Sequence, residues 1–230
     1  MKGRRVVITG MGMVSPLGHT VEQTWAAILA GQSGVRPIDF FDATPFSTRF
    51  SASVQNLDVD AYLPPKESRK MDVFVQYGMV AGIQAFEDSG FVVTEENAPR
   101  VGCAIGSGIG GIGEIEKNSL LVAERGPRKI SPFFVPGSII NMIGGNLSAK
   151  YNLQGPNIAI VTACTTATHS IGMSARMISM LAADAMLVGG AQMAATKVGL
   201  AVFAAARPLS THNEEPTRAS RDQKSTRLYS

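Results

Sequence analysis

Cys164 is the residue whose type and setting promise the most chemistry. It stands in Ile160-Val161-Thr162-Ala163-Cys164-Thr165-Thr166-Ala167, where residues 158–162 read as a buried strand and residues 164–182 as the helix that follows. A cysteine at such a handover meets unpaired backbone N–H groups and the positive end of the helix dipole, which favour the thiolate that attacks thioesters. The cysteine's own amide is also placed to donate to the oxygen of a tetrahedral adduct. An isolated cysteine is most often a small buried hydrophobe; the position and neighbours of Cys164 favour a nucleophile.

The segment after Cys164, from Thr165 to Ile178, is small or apolar on nearly every side, so it needs surrounding protein. Close packing would seat Cys164 at the floor of a dry pocket suited to an acyl chain. A histidine base is harder to find. His169 follows five residues later, about 140° around a helix and roughly 7.5 Å along it, and so points to another face. His19 precedes a helix and reads as a cap neighbour, and His212 lies in the polar run 210–220. No histidine in the chain is a convincing partner.

Two glycine-rich turns imitate nucleotide motifs. Gly106-Ser107-Gly108-Ile109-Gly110-Gly111 satisfies G-x-G-x-x-G, and Gly10-Met11-Gly12 comes near it. Neither is followed, about 20 residues on, by a strand-end acid that would hold a ribose. Tight turns lining a pocket are the favoured role, ahead of a nucleotide-binding oxidoreductase.

The elements that must position Cys164 alternate. Residues 4–10 read as a first buried strand and 20–31 as a helix with a Thr cap and a terminal Gly. Residues 32–67, with Pro37, Pro45, Pro64 and Pro65, read as irregular, with one short strand near 50–54. A long helix follows at 68–90, then a strand at 101–106, a glycine-rich turn at 106–113, a helix at 136–150 and a strand at 185–188. Such alternation predicts an α/β fold with a largely parallel sheet.

With 230 residues, 45% hydrophobic and only 17% charged, the chain is long enough and apolar enough for a substantial core. The net charge of +3 is spread over separated basic pairs at 4–5, 69–70 and 128–129, which disfavours nucleic acid and suits a compact acidic partner. Two cysteines far apart, without CxxC spacing or a secretory leader, predict neither disulfide nor zinc site and point to the cytoplasm. No apolar run reaches the roughly 18 residues of a membrane span.

The nucleophile segment from Thr162 to Gly172, taken with Ser68-Arg69-Lys70-Met71-Asp72 and with Arg128-Lys129-Ile130-Ser131-Pro132-Phe133-Phe134-Val135-Pro136, resembles the β-ketoacyl-acyl-carrier-protein synthase II family. Val7-Ile8-Thr9-Gly10-Met11-Gly12, the 106–111 turn and Val188-Gly189-Gly190-Ala191 match as well. The resemblance implies a thiolase-like fold, whose intact form stacks two α/β halves in αβαβα layers and works as a homodimer. Residues 1–221 would be the amino-terminal half, and residues 222–230 an unrelated short tail that suggests a truncated or misjoined reading frame.

By that resemblance, Cys164 takes an acyl group from acyl carrier protein for decarboxylative Claisen condensation with the malonyl form, without metal or cofactor. The family's two catalytic histidines and lysine belong to the second half. Ile109 and Phe203 would line the acyl pocket, and Phe134 would approach the partner subunit near it. Lys66, Arg69, Lys70, Arg128, Lys129 and Arg207 would face the acidic carrier protein. Departures at 193–202 bear on acyl chain length. The alternative is a catalytically dead half that serves only dimerisation or interaction.

Overall fold

The computed structural model describes residues 4–220; the expected tail at 222–230 lies outside the described residues. The chain forms an α/β fold around a three-stranded parallel sheet. Its elements are α1 (Val21–Leu29), β1 (Arg36–Pro37), β2 (Phe50–Ser51), α2 (Pro65–Ser68), α3 (Val73–Asp88), β3 (Val101–Gly106), α4 (Ile112–Arg125), α5 (Phe134–Ser138), α6 (Met142–Tyr151), β4 (Asn157–Ile158), α7 (Thr166–Ser179), β5 (Ala185–Gly190) and α8 (Lys197–Ala205). The sheet order is β4-β3-β5, with both neighbours parallel to β3. A small antiparallel pair, β1 with β2, stands apart from it.

Strand β3 is buried along its whole length because helices cover both faces. Val101, Cys103 and Ile105 join Phe74, Val75, Met79 and Ile83 of α3 and Ile143 and Leu147 of α6 in one core. Pleat alternation turns Gly102, Ala104 and Gly106 to the other face. These small residues let α7 approach, and α7 answers with buried Ser170 and Ser174. Gly78 and Gly82 serve the contact of α3 with α6, since a Cβ there would lie 2.5 Å from Ile143 and Leu147 respectively.

Helix α1 follows its sequence signals. Thr20 accepts from the Gln23 N–H, and the Gln23 side chain reaches back to the His19 N–H at 2.8 Å. The expected helix at 68–90 begins later, at Val73, where Asp72 supplies the cap.

Several expectations need correction. Residues 4–10 form no strand. Among the described residues no ladder bonds join them to β5, and Val7 and Ile8 are 72% and 78% exposed. The following turn hangs on α3 instead. The Met11 N–H donates to Asp88 and the Met13 N–H to Gln84, and Gly10 and Gly12 press on the carbonyls of Ala85 and Ala81. A β-branched run fits a pleated surface, but becomes a strand only where an edge pairs with it.

The expected 158–162 strand shrinks to β4, because after Ile158 the chain leaves β3 to turn toward α7. The 136–150 helix is two, α5 and α6, separated at Ile139, which is extended. Helices α4 and α8 form where the sequence pattern predicts no helix.

Arg4 ties the first segment to the sheet. It donates to Asp184 at 2.6 Å, and Arg100 pairs with the same carboxylate at 3.1 Å. Hydrogen bonds from Arg100, then Arg4, hold the Asp184 carboxyl at about 2, below its ordinary 3.8. A depressed folded value makes this contribution fully present above 3.8 and lost as pH falls toward 2. The Tm deficit of Asp184→Asn relative to wild type should therefore be constant at neutral pH and shrink across that acid window. A deficit independent of pH there would contradict the assignment.

Candidate active site

The site lies where β3 and β5 end side by side. Gly106 pairs with Gly190, and the Ala191 N–H donates to the Gly106 carbonyl at 3.1 Å. The glycine-rich turn leaves β3, a short segment carrying Gln192 leaves β5, and the turn before α7 closes the third side. Between them opens an apolar cavity of about 330 Å³ whose lining includes Ile109, Ala163, Cys164, Ala167, Gln192, Ala194 and Phe203.

Cys164 sits in a single 3-10 turn, Ala163–Thr165, rather than in the helix proper, which begins at Thr166. Threonines lock this turn. The Thr162 N–H donates to Thr166 Oγ1 at 3.0 Å, the Thr166 hydroxyl to the Ala163 carbonyl at 2.8 Å, and the Thr165 hydroxyl to the Thr162 carbonyl at 2.7 Å. Ala163 has φ +52°, a left-handed conformation that costs a non-glycine residue about 1–2 kcal/mol. That strained corner sets the exposed Cys164 beside the cavity, at the N-terminal end of α7.

Among the described residues no histidine hydrogen-bonds the Cys164 thiol. His169 is exposed, with Nδ1 2.7 Å from Thr162 Oγ1; His19 bonds the Gln55 carbonyl at 2.7 Å. His212 is exposed too.

The other cysteine is chemically opposite. Cys103 is buried in the core, and burial, only partly offset by a hydrogen bond with Ser148, pushes its thiol up to about 12. Iodoacetamide at neutral pH should therefore label one thiol of two in the folded chain, at Cys164, and both in denaturant. Labelling of Cys103 at a comparable rate in native buffer would contradict this burial.

Ile109 and Phe203 both line the cavity beside Cys164. Phe134 does not; it is half-buried at the start of α5, after Phe133, whose ring holds Lys70 Nζ at 4.3 Å. The basic candidates are all exposed, and none forms a salt bridge among the described residues. Lys66, Arg69 and Lys70 lie on and just after α2, while Arg128 and Lys129 occupy the 3-10 turn Pro127–Lys129. The chain around α5 packs on the end of the first group, since the Asp72 N–H donates to the Gly137 carbonyl at 2.9 Å. Arg207 stands separately, after α8, with φ +62°.

Asp72 holds this frame together. One carboxylate oxygen accepts from the Phe74 N–H at 3.0 Å and the other from the Glu114 N–H at 2.9 Å, so one side chain joins the starts of α3 and α4. Its burial pushes the carboxyl up from its ordinary value. A wider groove of about 600 Å³ runs between Phe40, Phe41 and α4, but neither cysteine borders it.

Fold and site together define an α/β chain with an exposed thiol raised on a strained turn beside an apolar cavity. The family model described as "Beta-ketoacyl synthase, N-terminal domain" matches residues 3–226, and the chain belongs to that family. It is 60% identical over 221 residues to the 3-oxoacyl-[acyl-carrier-protein] synthase 2 of Vibrio cholerae serotype O1, covering 96% of this chain and 53% of that protein. Against the Coxiella burnetii protein of the same name the identity is 58%, with the same coverage. A β-ketoacyl synthase structure from Burkholderia phymatum superposes with a TM-score of 0.80 at 30% identity, covering 94% of this chain and 53% of that one. The thiolase-like fold is thus present as an amino-terminal half, and the chain spans about half the length of the curated relatives it matches.

Proposed function

We propose that this chain is the nucleophile-bearing part of a 3-oxoacyl-[acyl-carrier-protein] synthase. The observation that carries the proposal is the placement of Cys164, exposed at the N-terminal end of α7 and open to an apolar cavity that Ile109 and Phe203 also line. The thiolate attacks the thioester carbonyl of acyl carrier protein. The carbon–sulfur bond to the carrier breaks, the carrier thiolate leaves and takes up a proton, and the acyl group stays on Cys164. In the second half-reaction malonyl-carrier protein loses carbon dioxide. Its carbanion attacks the acyl-enzyme, and the bond to Cys164 breaks to give the longer β-ketoacyl thioester. The names of the relatives support this reading of fatty acid elongation.

Lys66, Arg69, Lys70, Arg128, Lys129 and Arg207 are the residues we propose to meet the acidic carrier. Their exposure and freedom from salt bridges among the described residues support that role, and such contacts would weaken with salt. Phe134 is proposed to serve a second copy of the chain in a homodimer. The match over 3–226 supports one domain across the expected 1–221, reaching slightly past it. The unpaired cysteines suit a reducing cytoplasm, and among the described residues no helix is long and apolar enough to cross a membrane. The assembled nucleophile turn favours acyl transfer over a purely interacting fragment.

Thiol release tests the first half-reaction. Mixing the chain with hexadecanoyl-[acyl-carrier protein] should free one carrier thiol per chain and then stop. No release above that from carrier alone would refute the proposal.

A further inference from the structure

Gln192 is not part of the nucleophile turn, yet it makes four hydrogen bonds to the turn opposite. Its Oε1 accepts from the Ser107 hydroxyl at 2.7 Å, the Ile109 N–H at 2.8 Å and the Gly110 N–H at 3.3 Å, and its Nε2 donates to the Gly110 carbonyl at 3.1 Å. The reverse orientation of the amide would set its NH₂ against those donors, so the network itself fixes which atom points where. Ser107 is buried and also accepts from the Gly110 N–H at 3.1 Å. Gly110 sits at φ +83°, a conformation open to glycine.

Between two residues fixed in this way lies Ile109, which is 43% exposed and borders the cavity with Cys164 and Phe203. The turn has no regular ladder of its own to hold it. We propose that Gln192 is a positioning residue that fixes the Ile109 wall of the cavity and thereby sets discrimination between short and long acyl groups arriving at Cys164. This rests on the acyl-transfer reading above. Gln192 touches the wall and acts through Ile109, and it leaves the chemistry at sulfur alone.

The test compares wild type, Gln192→Ala and Gln192→Glu, the last keeping an oxygen for the three donors. Two readouts separate the clamp from the acyl-transfer reading. Amide exchange at Ile109 needs no substrate. It should accelerate at least about fivefold in Gln192→Ala, the factor for one lost hydrogen bond, and stay near wild type in Gln192→Glu. The second readout is the ratio of adduct formation with hexanoyl- and hexadecanoyl-[acyl-carrier protein], by intact mass. Gln192→Ala should move that ratio toward equality by about fivefold, while Gln192→Glu keeps the wild-type ratio.

Unchanged exchange at Ile109 in Gln192→Ala would overturn the clamp whatever the substrate results. Faster exchange with an unchanged length ratio would overturn its role in selection. A Gln192→Glu variant that matches Gln192→Ala in both readouts would overturn the assignment to the accepting oxygen. Wild type that exchanges as expected but forms no adduct with either thioester would remove the acyl-transfer reading, and the selection role with it.

Discussion

Cys164→Ala should keep its fold and lose the acyl adduct completely. The first half of that expectation follows from exposure: the Cys164 side chain fills no part of the core, so its removal leaves no cavity and Tm should change little. The second follows from the absence of a substitute. Cys103 lies beneath α6 with its thiol pushed up to about 12, out of reach of a bulky carrier and almost wholly protonated at neutral pH. Intact mass after incubation with a hexadecanoyl carrier thioester checks both halves alongside circular dichroism. An adduct of undiminished yield in the variant would show that another group accepts the acyl chain.

Gly106→Ala should damage stability and acyl transfer together. A Cβ at Gly106 would collide with the Ile160 carbonyl oxygen and lie 2.7 Å from Thr166 Cγ2. The first contact is with backbone, which cannot swing aside as a flexible side chain would. It can be relieved only by moving the 158–163 segment, which carries the nucleophile turn. Overpacking of this kind costs about 1–3 kcal/mol. The Thr166 hydroxyl that holds Thr162 and Ala163 would shift as well, so the adduct should form at least tenfold more slowly, given how steeply attack depends on geometry. Gly189→Ala is the matched control, because a Cβ there meets nothing within 4 Å. Urea midpoints for the two variants decide the matter: equal midpoints would mean that the sheet and the turn are not packed as described.

The legible part of the fold was the part governed by local pattern. Strand β3 matched its expected span residue for residue, because six consecutive small or apolar residues between turn signals leave few alternatives. Helix α1 was marked at both ends by Thr20 and Gly31. Helix α4 escaped because Glu114, Glu116, Lys117, Glu124 and Arg125 thin its apolar stripe and its start is capped from elsewhere, by Asp72. Helix α8 is so apolar, and interrupted by Gly199, that it shows no polar face, although Thr196 caps it as a local signal could have suggested. The first segment carried a strand pattern but forms no ladder with β5, the open edge of the sheet.

At the candidate site the position of Cys164 between strand and helix was legible, but the turn that presents its thiol was not. Nothing in the identity of Ala163 announces a positive φ; the conformation is imposed by the threonine bonds around it. Gln192 had no signal at all, since its partners lie more than eighty positions earlier and meet it only because β3 and β5 end together. Phe134, which the resemblance turns toward a partner subunit, lies outside the cavity wall within this chain.

The most direct test of the central claim is peptide mapping of the acylated chain, with and without iodoacetamide pretreatment. A single acyl group on the peptide containing Cys164, abolished by pretreatment while Cys103 stays unlabelled, is the result expected from an exposed nucleophile and a buried bystander. An acyl group on any other residue, or a folded chain that takes none, would contradict the account.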